Sequence, residues 1–403
     1  MFNIGVAQSG GPTVAINSSL AGVFCEAAKH SEIDKVYGFY NGIEGVLHDE
    51  CVDLSEKLRT EEDVERLRCT PSTALGSCRH KLRTDNDDEL RNVLETFERH
   101  NIGAFFYIGG NDSMDTVHKL SKYFKKLGKD IKVVGIPKTI DNDLVGTDHT
   151  PGFGSAAKYI ASTMQEIIRD SQVYCLTSVT VVEIMGRDAG WLTAATSVLR
   201  VNGEIAPHLI YLPEVPVTKE KILEDIKKAH EKYKAVIVAV SEGIKTPDGK
   251  YLAEDNQSGA VDNFGHKYLS GVGKYLENLI KTELSCKVRS IELNVMQRCS
   301  SLIASQTDLD EAMQIGGEAV KFALDGKTGV MAVFERISDN PYEIGISCAD
   351  IEKIANQEKL FPKEWINEDK NNILDDAIGY FLPLIQGEVK PFMSNGLPTH
   401  IKL

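Results

Sequence analysis

The sequence lacks paired cysteines and any long apolar run. Its eight cysteines are scattered over 403 residues without a CxxC pattern, which excludes a thiol-rich zinc site or redox motif and suits a reducing compartment. No run approaches the roughly 18 apolar residues of a membrane span. The first residues, MFNIGVAQSGG, have the pattern of a strand rather than of a signal peptide. We therefore expect a cytoplasmic protein without a membrane segment.

The chain also lacks an excess of positive charge, repeats and low-complexity tracts. Its net charge is −14, from 45 basic and 59 acidic residues. This balance argues against general binding of nucleic acid or of acidic membranes. If the ligand is an anion, the protein must create a positive field locally. The length favours two domains.

Short apolar runs alternate with longer amphipathic segments. Several of these runs are continuous in β-branched or aromatic residues, as in parallel strands buried on both faces. The predicted strands cover residues 3–7, 35–40, 102–108, 132–137, 177–184, 208–213 and 235–240. Helical patterns fill segments such as 113–128 and 219–234, and dominate from about residue 308 onward. The alternation predicts an α/β protein with mostly parallel sheets.

Glycines and basic residues follow two of the early segments. Gly10 and Gly11 come directly after the first strand and allow backbone N–H groups to approach an anion, although a tight turn explains them equally well. Arg79 and Lys81 belong to the basic cluster LGSCRHKLR. That cluster is suited to a polyphosphate, or is a solvated surface patch.

The stretch IGGNDSMDT follows the strand at 102–108. Gly110, Asn111, Asp112 and Ser113 open a helix whose N-terminus attracts anions. Asn, Asp and Ser at such a position are ordinary helix caps. The alternative is a turn that meets a phosphate or a metal ion.

Two further strands end in charged loops. PKTIDND places Lys138, Thr139, Asp141 and Asp143 after one strand, where the carboxylates can serve as base and metal anchor or form an Asx-rich turn. EIMGRDAGW places Arg187 between glycines after another. In parallel sheets, ligands bind at the carboxyl ends of the strands. Together, these loops predict an Mg²⁺-dependent phosphoryl-transfer site.

In this order, SGGPTVAIN, LGSCR, GGNDS, PKTIDND, MGR and the R-x8-R of VRSIELNVMQR resemble the phosphofructokinase family over roughly residues 1–330. The resemblance implies two similar Rossmann-like domains with the active site in the cleft between them. We expect residues 1–150 and about 298–340 to form the phosphoryl-donor domain. Residues of about 151–297, with C-terminal helices to 403, would form the sugar-phosphate domain.

The resemblance implies roles for individual residues. Asp141 resembles the general base for the sugar hydroxyl, Thr139 lies beside the transferred phosphoryl group, and Asp143 supports the metal or the base. The implied substrate-binding residues are Thr139, Asp141, Met185, Gly186, Arg187, Glu242, Arg298 and, at the 6-phosphate, Arg289. The implied donor-binding residues are Gly10, Gly11, Arg79, Lys81, Gly110 and Ser113, with Asn111 and Asp143 at the Mg²⁺.

Two residues indicate the pyrophosphate-dependent branch. ATP-using relatives carry glycine at the positions of Asp112 and Lys138. A carboxylate at position 112 would repel the α-phosphate of a nucleotide. Lys138 adds the charge that pyrophosphate, which has no adenosine to anchor it, requires.

The implied reaction is reversible Mg²⁺-dependent transfer from pyrophosphate to the 1-hydroxyl of fructose 6-phosphate, a step of glycolysis. Alternatives are an ATP-dependent enzyme, another acceptor such as sedoheptulose 7-phosphate, or a non-catalytic sensor. The resemblance also implies a homo-oligomer, either a dimer or a tetramer. The chain departs from the family pattern at Asn111, where many relatives have Asp, and at Ser178 and Val295, where an arginine and a histidine usually help to hold the 6-phosphate.

Overall fold

The larger of the two main sheets has seven strands. The computed structural model describes residues 1–83, 87–254 and 271–403. The strands lie in the order β11-β10-β5-β4-β1-β2-β3. They are β1 (Phe2–Gln8), β2 (Ile33–Phe39), β3 (Cys51–Asp53), β4 (Ile102–Gly109), β5 (Lys132–Pro137), β10 (Val330–Asp339) and β11 (Tyr342–Asp350). The five inner strands are parallel, and the two edge strands, β3 and β11, are antiparallel to their neighbours.

A second sheet of four parallel strands lies in the order β7-β8-β6-β9. The strands are β6 (Ser178–Ile184), β7 (Leu209–Tyr211), β8 (Ala235–Ser241) and β9 (Lys287–Glu292). The central strands β6 and β8 are almost wholly buried, which explains why most of their residues are apolar. A short hairpin joins β12 (Met393–Ser394) and β13 (Leu397–Pro398). The seven predicted strands are confirmed, since they coincide with β1, β2, β4, β5, β6, β7 and β8.

Helices cover the faces of both sheets. Around the first sheet lie α1 (Ile16–Ala27), α2 (Ile43–His48), α3 (Leu54–Lys57), α4 (Glu61–Arg68), α5 (Asp88–Arg99), α6 (Asn111–Lys126) and α12 (Gln306–Leu324). The others are α7 (Phe153–Ser171), α8 (Trp191–Ala194), α9 (Lys219–His230), α10 (Val272–Leu284), α11 (Met296–Cys299) and α13 (Ile378–Phe381). Short 3₁₀ helices span Ala195–Asn202, Ile351–Lys353, Lys363–Trp365, Asp375–Ala377 and Leu382–Ile385.

Helices α1 and α12 are packed backbone to backbone. A Cβ added at Gly22 would lie 2.0 Å from the carbonyl oxygen of Met313, and one added at Gly316 would lie 2.2 Å from that of Ser19. Only glycine permits this approach at both crossing points. The contact joins the first helix of the chain to a helix almost three hundred residues later.

The predicted helical character of the C-terminal segment is wrong beyond α12. Residues 330–350 form the hairpin β10–β11, in which β10 extends the first sheet in parallel with β5. The inner half of β10, Val330–Phe334, is apolar and mostly buried because it covers the open edge of β5. Strand formation here depends on pairing with β5, which is distant in sequence. The local sequence of β10 therefore does not by itself indicate a strand. After β11 the helices are single turns.

None of the helices in the described ranges combines the length and the apolar character that a membrane crossing requires.

Candidate active site

One cavity of about 880 Å³ lies where the carboxyl ends of strands from both sheets meet. Its walls come from the loops after β1, β4, β5, β6, β8 and β9, which is where ligands bind in parallel sheets. Of the site residues predicted from sequence, the lining includes Gly10, Gly11, Arg79, Lys81, Gly110, Asn111, Asp112, Ser113, Lys138, Thr139, Asp141, Asp143, Met185, Arg187, Glu242 and Arg298. Residues from the loops after these six strands, together with Arg79 and Lys81 from the segment after α4, thus converge on one space.

The ammonium group of Lys138 is buried in the first wall of the cavity. Lys138 is 2% exposed, and its Nζ donates a hydrogen bond of 2.5 Å to the carbonyl oxygen of Gly11. Burial lowers its pKa to about 8, although the Asp141 carboxylate favours the charged form. Gly10 adopts a φ of +76° close by, which favours glycine. A cation enclosed in this way gains greatly from an anion in the cavity.

The N-terminus of α6 forms the neighbouring wall. Asp112 pairs with Lys81 at 2.9 Å between Oδ1 and Nζ, so its carboxylate is fixed in the first turn of the helix. Ser113 is buried, and the turn before it contains Gly109 and Gly110. Gly109 must be glycine because an added Cβ would lie 2.0 Å from the Oγ of Ser113.

Asn111 does not direct its amide group freely into the cavity. Its Nδ2 donates to the carbonyl oxygen of Gln357 at 2.7 Å, and its Oδ1 accepts from the backbone N–H of Asn356 at 3.2 Å. A carboxylate could accept the second bond but could not donate the first. The neutral residue at this position therefore matches the contacts that it makes.

The loop after β5 presents two carboxylates to the cavity. The backbone N–H of Asp141 donates to Thr139 Oγ1 at 3.1 Å. Burial raises the pKa of Asp141, against the opposing charges of Arg187 and Lys138. Burial together with the Asp141 carboxylate raises the pKa of Asp143 to about 7. Two desolvated acids side by side are typical of a catalytic or metal-binding position.

The second sheet supplies the opposite wall. Gly186 has a φ of +135°, and a Cβ there would lie 2.6 Å from the carbonyl oxygen of Ala189, so only glycine fits. Its N–H donates to Glu242 Oε1 at 3.2 Å, and burial raises the pKa of Glu242 to about 7. Among the described residues, the buried Nε of Arg187 has no hydrogen-bond partner. Because a buried unsatisfied donor is costly, this nitrogen is available for a ligand.

Arg289 lies apart from the other predicted residues. It is on the edge strand β9, and its Nη1 pairs with Asp170 Oδ2 at 3.1 Å. A separate small cavity is lined by Arg289 together with Ser178 and Lys287. In β9 the side chain of Val288 turns inward and that of Arg289 outward, as the two-residue period of a strand requires. The role of Arg289 at the 6-phosphate stays a prediction.

Gly186 does not line the cavity and acts through its bond to Glu242.

Several lining residues were missed by sequence reasoning. Gln297 accepts the backbone N–H of Met185 at 3.2 Å through Oε1 and is 2% exposed; its position next to Arg298 was the available signal. Asn356 and Glu358 enter the cavity from the C-terminal segment, where no sequence motif marked them.

The carboxylates suit a hard divalent cation. Asp141, Asp143 and Glu358 all line the same cavity. The negative charge of Glu358 contributes, after burial and Asp141, to the raised pKa of Asp143. An all-oxygen set of acidic donors is the kind that Mg²⁺ prefers. The donor chemistry of these residues therefore fits that ion.

A family model described as Phosphofructokinase matches residues 3–323. The chain is 40% identical to a pyrophosphate–fructose 6-phosphate 1-phosphotransferase of Halomonas elongata, over 98% of this chain and 95% of that protein. The enzyme of the same name from Xanthomonas campestris is also 40% identical, over 100% and 96% of the two chains. The crystal structure of a pyrophosphate-dependent phosphofructokinase from Marinobacter aquaeolei superimposes with a TM-score of 0.88 at 38% identity, covering 99% of this chain and 95% of that one.

Proposed function

The chain belongs to the phosphofructokinase family, and from that premise we propose that it transfers a phosphoryl group reversibly from pyrophosphate to the 1-hydroxyl of fructose 6-phosphate. The products are fructose 1,6-bisphosphate and phosphate. The observation that carries the proposal is the pairing, in one cavity, of a buried Lys138 ammonium with the acids of the Asp141 loop.

The donor is pyrophosphate because of charge at one end of the cavity. The Asp112 carboxylate, fixed by Lys81, would oppose the α-phosphate of a nucleotide lying along α6, since like charges in contact cost several kcal/mol. Pyrophosphate ends before that point and gains the charge of Lys138. The names of the Halomonas and Xanthomonas relatives agree with this choice.

The acceptor occupies the wall formed by the second sheet. Glu242 accepts from sugar hydroxyls, and Arg187 neutralises the phosphoryl group in transit. Asp141 takes the proton of the 1-hydroxyl as the oxygen forms its bond to phosphorus and the bridging P–O bond of pyrophosphate breaks. The leaving phosphate keeps that electron pair beside Lys138. In the reverse direction Asp141 returns the proton.

Phosphofructokinases generally use a divalent metal, and we propose Mg²⁺ here. Asp143 would hold it with Asp141 or Glu358 at the oxygen-lined end of the cavity. When bound, the ion supplies charge neutralisation to the phosphate oxygens. The homo-oligomeric state, the cytoplasmic location and the domain limits remain predictions.

A paired assay tests the donor. Purified protein receives fructose 6-phosphate and Mg²⁺ with either pyrophosphate or ATP, and fructose 1,6-bisphosphate is measured. We expect product with pyrophosphate and little with ATP. Activity mainly with ATP would leave the family assignment intact and contradict the proposed role of Asp112 and Lys138.

A further inference from the structure

Residues 355–360, named here the strap, contribute Asn356 and Glu358 to the lining of the cavity and connect two hydrophobic core clusters. On one side Ile351 and Ile354 are buried in the core beside α6. On the other side Phe361 is buried in the core of the second sheet, against Trp191 at 5.1 Å between ring centroids. Burial of these residues fixes the strap at both ends. The strap lies beyond residue 323, where the family match ends.

Asn111 ties the strap to the donor side of the cavity. Its amide binds the carbonyl oxygen of Gln357 and the N–H of Asn356, a two-bond contact with the strap backbone. Asn356 has a φ of +63°, a conformation that needs support from its surroundings. Because Asn111 precedes Asp112 in α6, the strap is attached directly beside the residue that selects the donor.

Lys359 ties the same strap to the acidic loop. Its Nζ donates to the carbonyl oxygens of Asp148 at 2.7 Å and Thr147 at 3.2 Å, and to Asn142 Oδ1 at 3.4 Å. Its backbone N–H donates to the carbonyl oxygen of Asp143 at 2.7 Å. The ammonium also lies 4.9 Å from the centre of the Trp191 ring. The Lys359 ammonium thus holds together three oxygens of the loop, which would otherwise repel one another.

The loop needs this support because it is strained between its two acids. Asn142 has a φ of +56° and is 0% exposed, and a non-glycine residue in that conformation persists only when its neighbours hold it. This left-handed residue lies between Asp141 and Asp143 and so determines how the backbone passes from one to the other. A loop released from Lys359 can relax and turn the carboxylate of Asp141 away from the acceptor.

We propose that the strap is part of the active site, with Lys359 and Asn111 as positioning residues for phosphoryl transfer. Lys359 holds Asp141 and Asp143 in the geometry for the reaction, and Asn111 holds the strap. The inference rests on the proposed function for its kinetic effect, but not for its structural one. It also gives an alternative to the predicted role of Asn111 at the metal, since the amide group bonds the strap through both of its polar atoms.

Lys359→Met tests the hold on the loop, with Lys353→Met as the matched control. Lys353 lies in the 3₁₀ helix just before the strap and is exposed. We expect Lys359→Met to lower kcat about 10- to 100-fold, the size of effect that a displacement of roughly 1 Å produces. KM for both substrates should change less than about threefold, because the binding groups stay in place. Lys359→Arg should restore most of kcat, since it keeps the charge.

Hydrogen exchange gives a readout that does not depend on turnover. In Lys359→Met the amides of residues 141–148 should exchange faster than in the wild type and in Lys353→Met. Unchanged exchange would overturn the inference whether or not the protein has the proposed activity. An inactive wild type with faster exchange in the variant would instead contradict the proposed function and support the strap.

Asn111→Asp separates the two roles of Asn111, and it remains informative if Lys359→Met does not fold. A metal ligand would improve on becoming a carboxylate, so the affinity for Mn²⁺, followed by electron paramagnetic resonance with pyrophosphate present, would rise. A strap anchor would lose its bond to Gln357, so kcat would fall without tighter Mn²⁺ binding. We expect the second result. Tighter Mn²⁺ binding with full kcat would overturn the role of Asn111.

Discussion

The two ends of the loop after β5 use the same chemical group in opposite ways. Asp141 and Asp143 face the cavity, and burial raises the pKa of both. Asp148 is also largely enclosed, yet its hydrogen bonds to His149 and Arg336 outweigh burial and lower its pKa to about 2. The distances are 2.8 Å to His149 Nδ1 and 3.0 Å to Arg336 Nη2.

The difference shows how the protein separates function from anchorage within a few residues. The Asp148 charge is satisfied by the protein itself, so it stabilises the fold and is unavailable to a ligand. The charges of Asp141 and Asp143 are only partly balanced, so the site gains when a cation and a substrate arrive. Between the two ends, Lys359 binds the carbonyl oxygens of Thr147 and Asp148 and the Asn142 side chain. The anchored end therefore holds the reactive end in position.

The largest expected effect is at the reactive end. Asp141→Asn should lower kcat by about 10²- to 10⁴-fold, the contribution of a general base. The melting temperature should stay level or rise, because a desolvated charge is removed. Steady-state kinetics and calorimetry would measure both. Loss of fructose 6-phosphate binding with kcat preserved would mean that Asp141 serves the structure rather than the proton transfer.

The same substitution at the anchored end should act on stability instead. Asp148→Asn leaves His149 and Arg336 without their shared carboxylate, and breaking a buried pair costs about 3–5 kcal/mol of unfolding free energy. Urea unfolding would measure this loss. The kcat of the folded fraction should stay within a few-fold of wild type, because Lys359 binds the backbone carbonyl of Asp148, which the substitution keeps. Equal effects on kcat at the two ends would remove the distinction between them.

A smaller effect is expected on donor choice. The joint change Asp112→Gly with Lys138→Gly removes the repulsion and the compensating cation, so the ratio of kcat/KM for ATP to that for pyrophosphate should rise about tenfold or more, given that like charges in contact cost several kcal/mol. Asp115→Gly offers a control on the same helix. An unchanged ratio would mean that donor choice is decided elsewhere in the cavity.

The smallest expected effect is a pH dependence of stability at the anchored end. His149 is 3% exposed in its side chain and bonds Asp148 through Nδ1 and Glu311 through Nε2 at 2.7 Å. Arg336 and Asp308 also act on this group of charges. Burial opposes the imidazolium, but the two hydrogen bonds outweigh it and raise the pKa of His149.

Because this pKa is raised, the stabilisation is complete below the ordinary histidine value of about 6.5 and is lost as the pH rises through the folded value. We therefore expect the unfolding free energy to fall by about 1 kcal/mol per unit of pKa shift across that window. His149→Asn should flatten the curve above pH 6.5. Identical slopes for both proteins would show that the stabilisation has another source.

Much of the site could be predicted because its signals are local. Asp141, Lys138 and Asp112 directly follow buried strands whose apolar runs mark them in sequence, and the rule that parallel strands bind ligands at their carboxyl ends brings them together. Arg187 was predicted to line the cavity for the same reason, whereas Glu242 was predicted only from the family resemblance. The resemblance also added roles to the other positions.

Other features depended on which distant segments meet. The amide of Asn111 binds residues about 245 positions later, and β10 forms a strand because β5 offers an open edge. Arg289 points away from the cavity because of its register on an edge strand. Local sequence thus determined the strands, the turns and the chemical groups at their ends, because backbone propensity and side-chain chemistry belong to each segment. Tertiary structure alone decided the strap and the balance of charge around each acid, because burial and pairing are properties of contacts between segments.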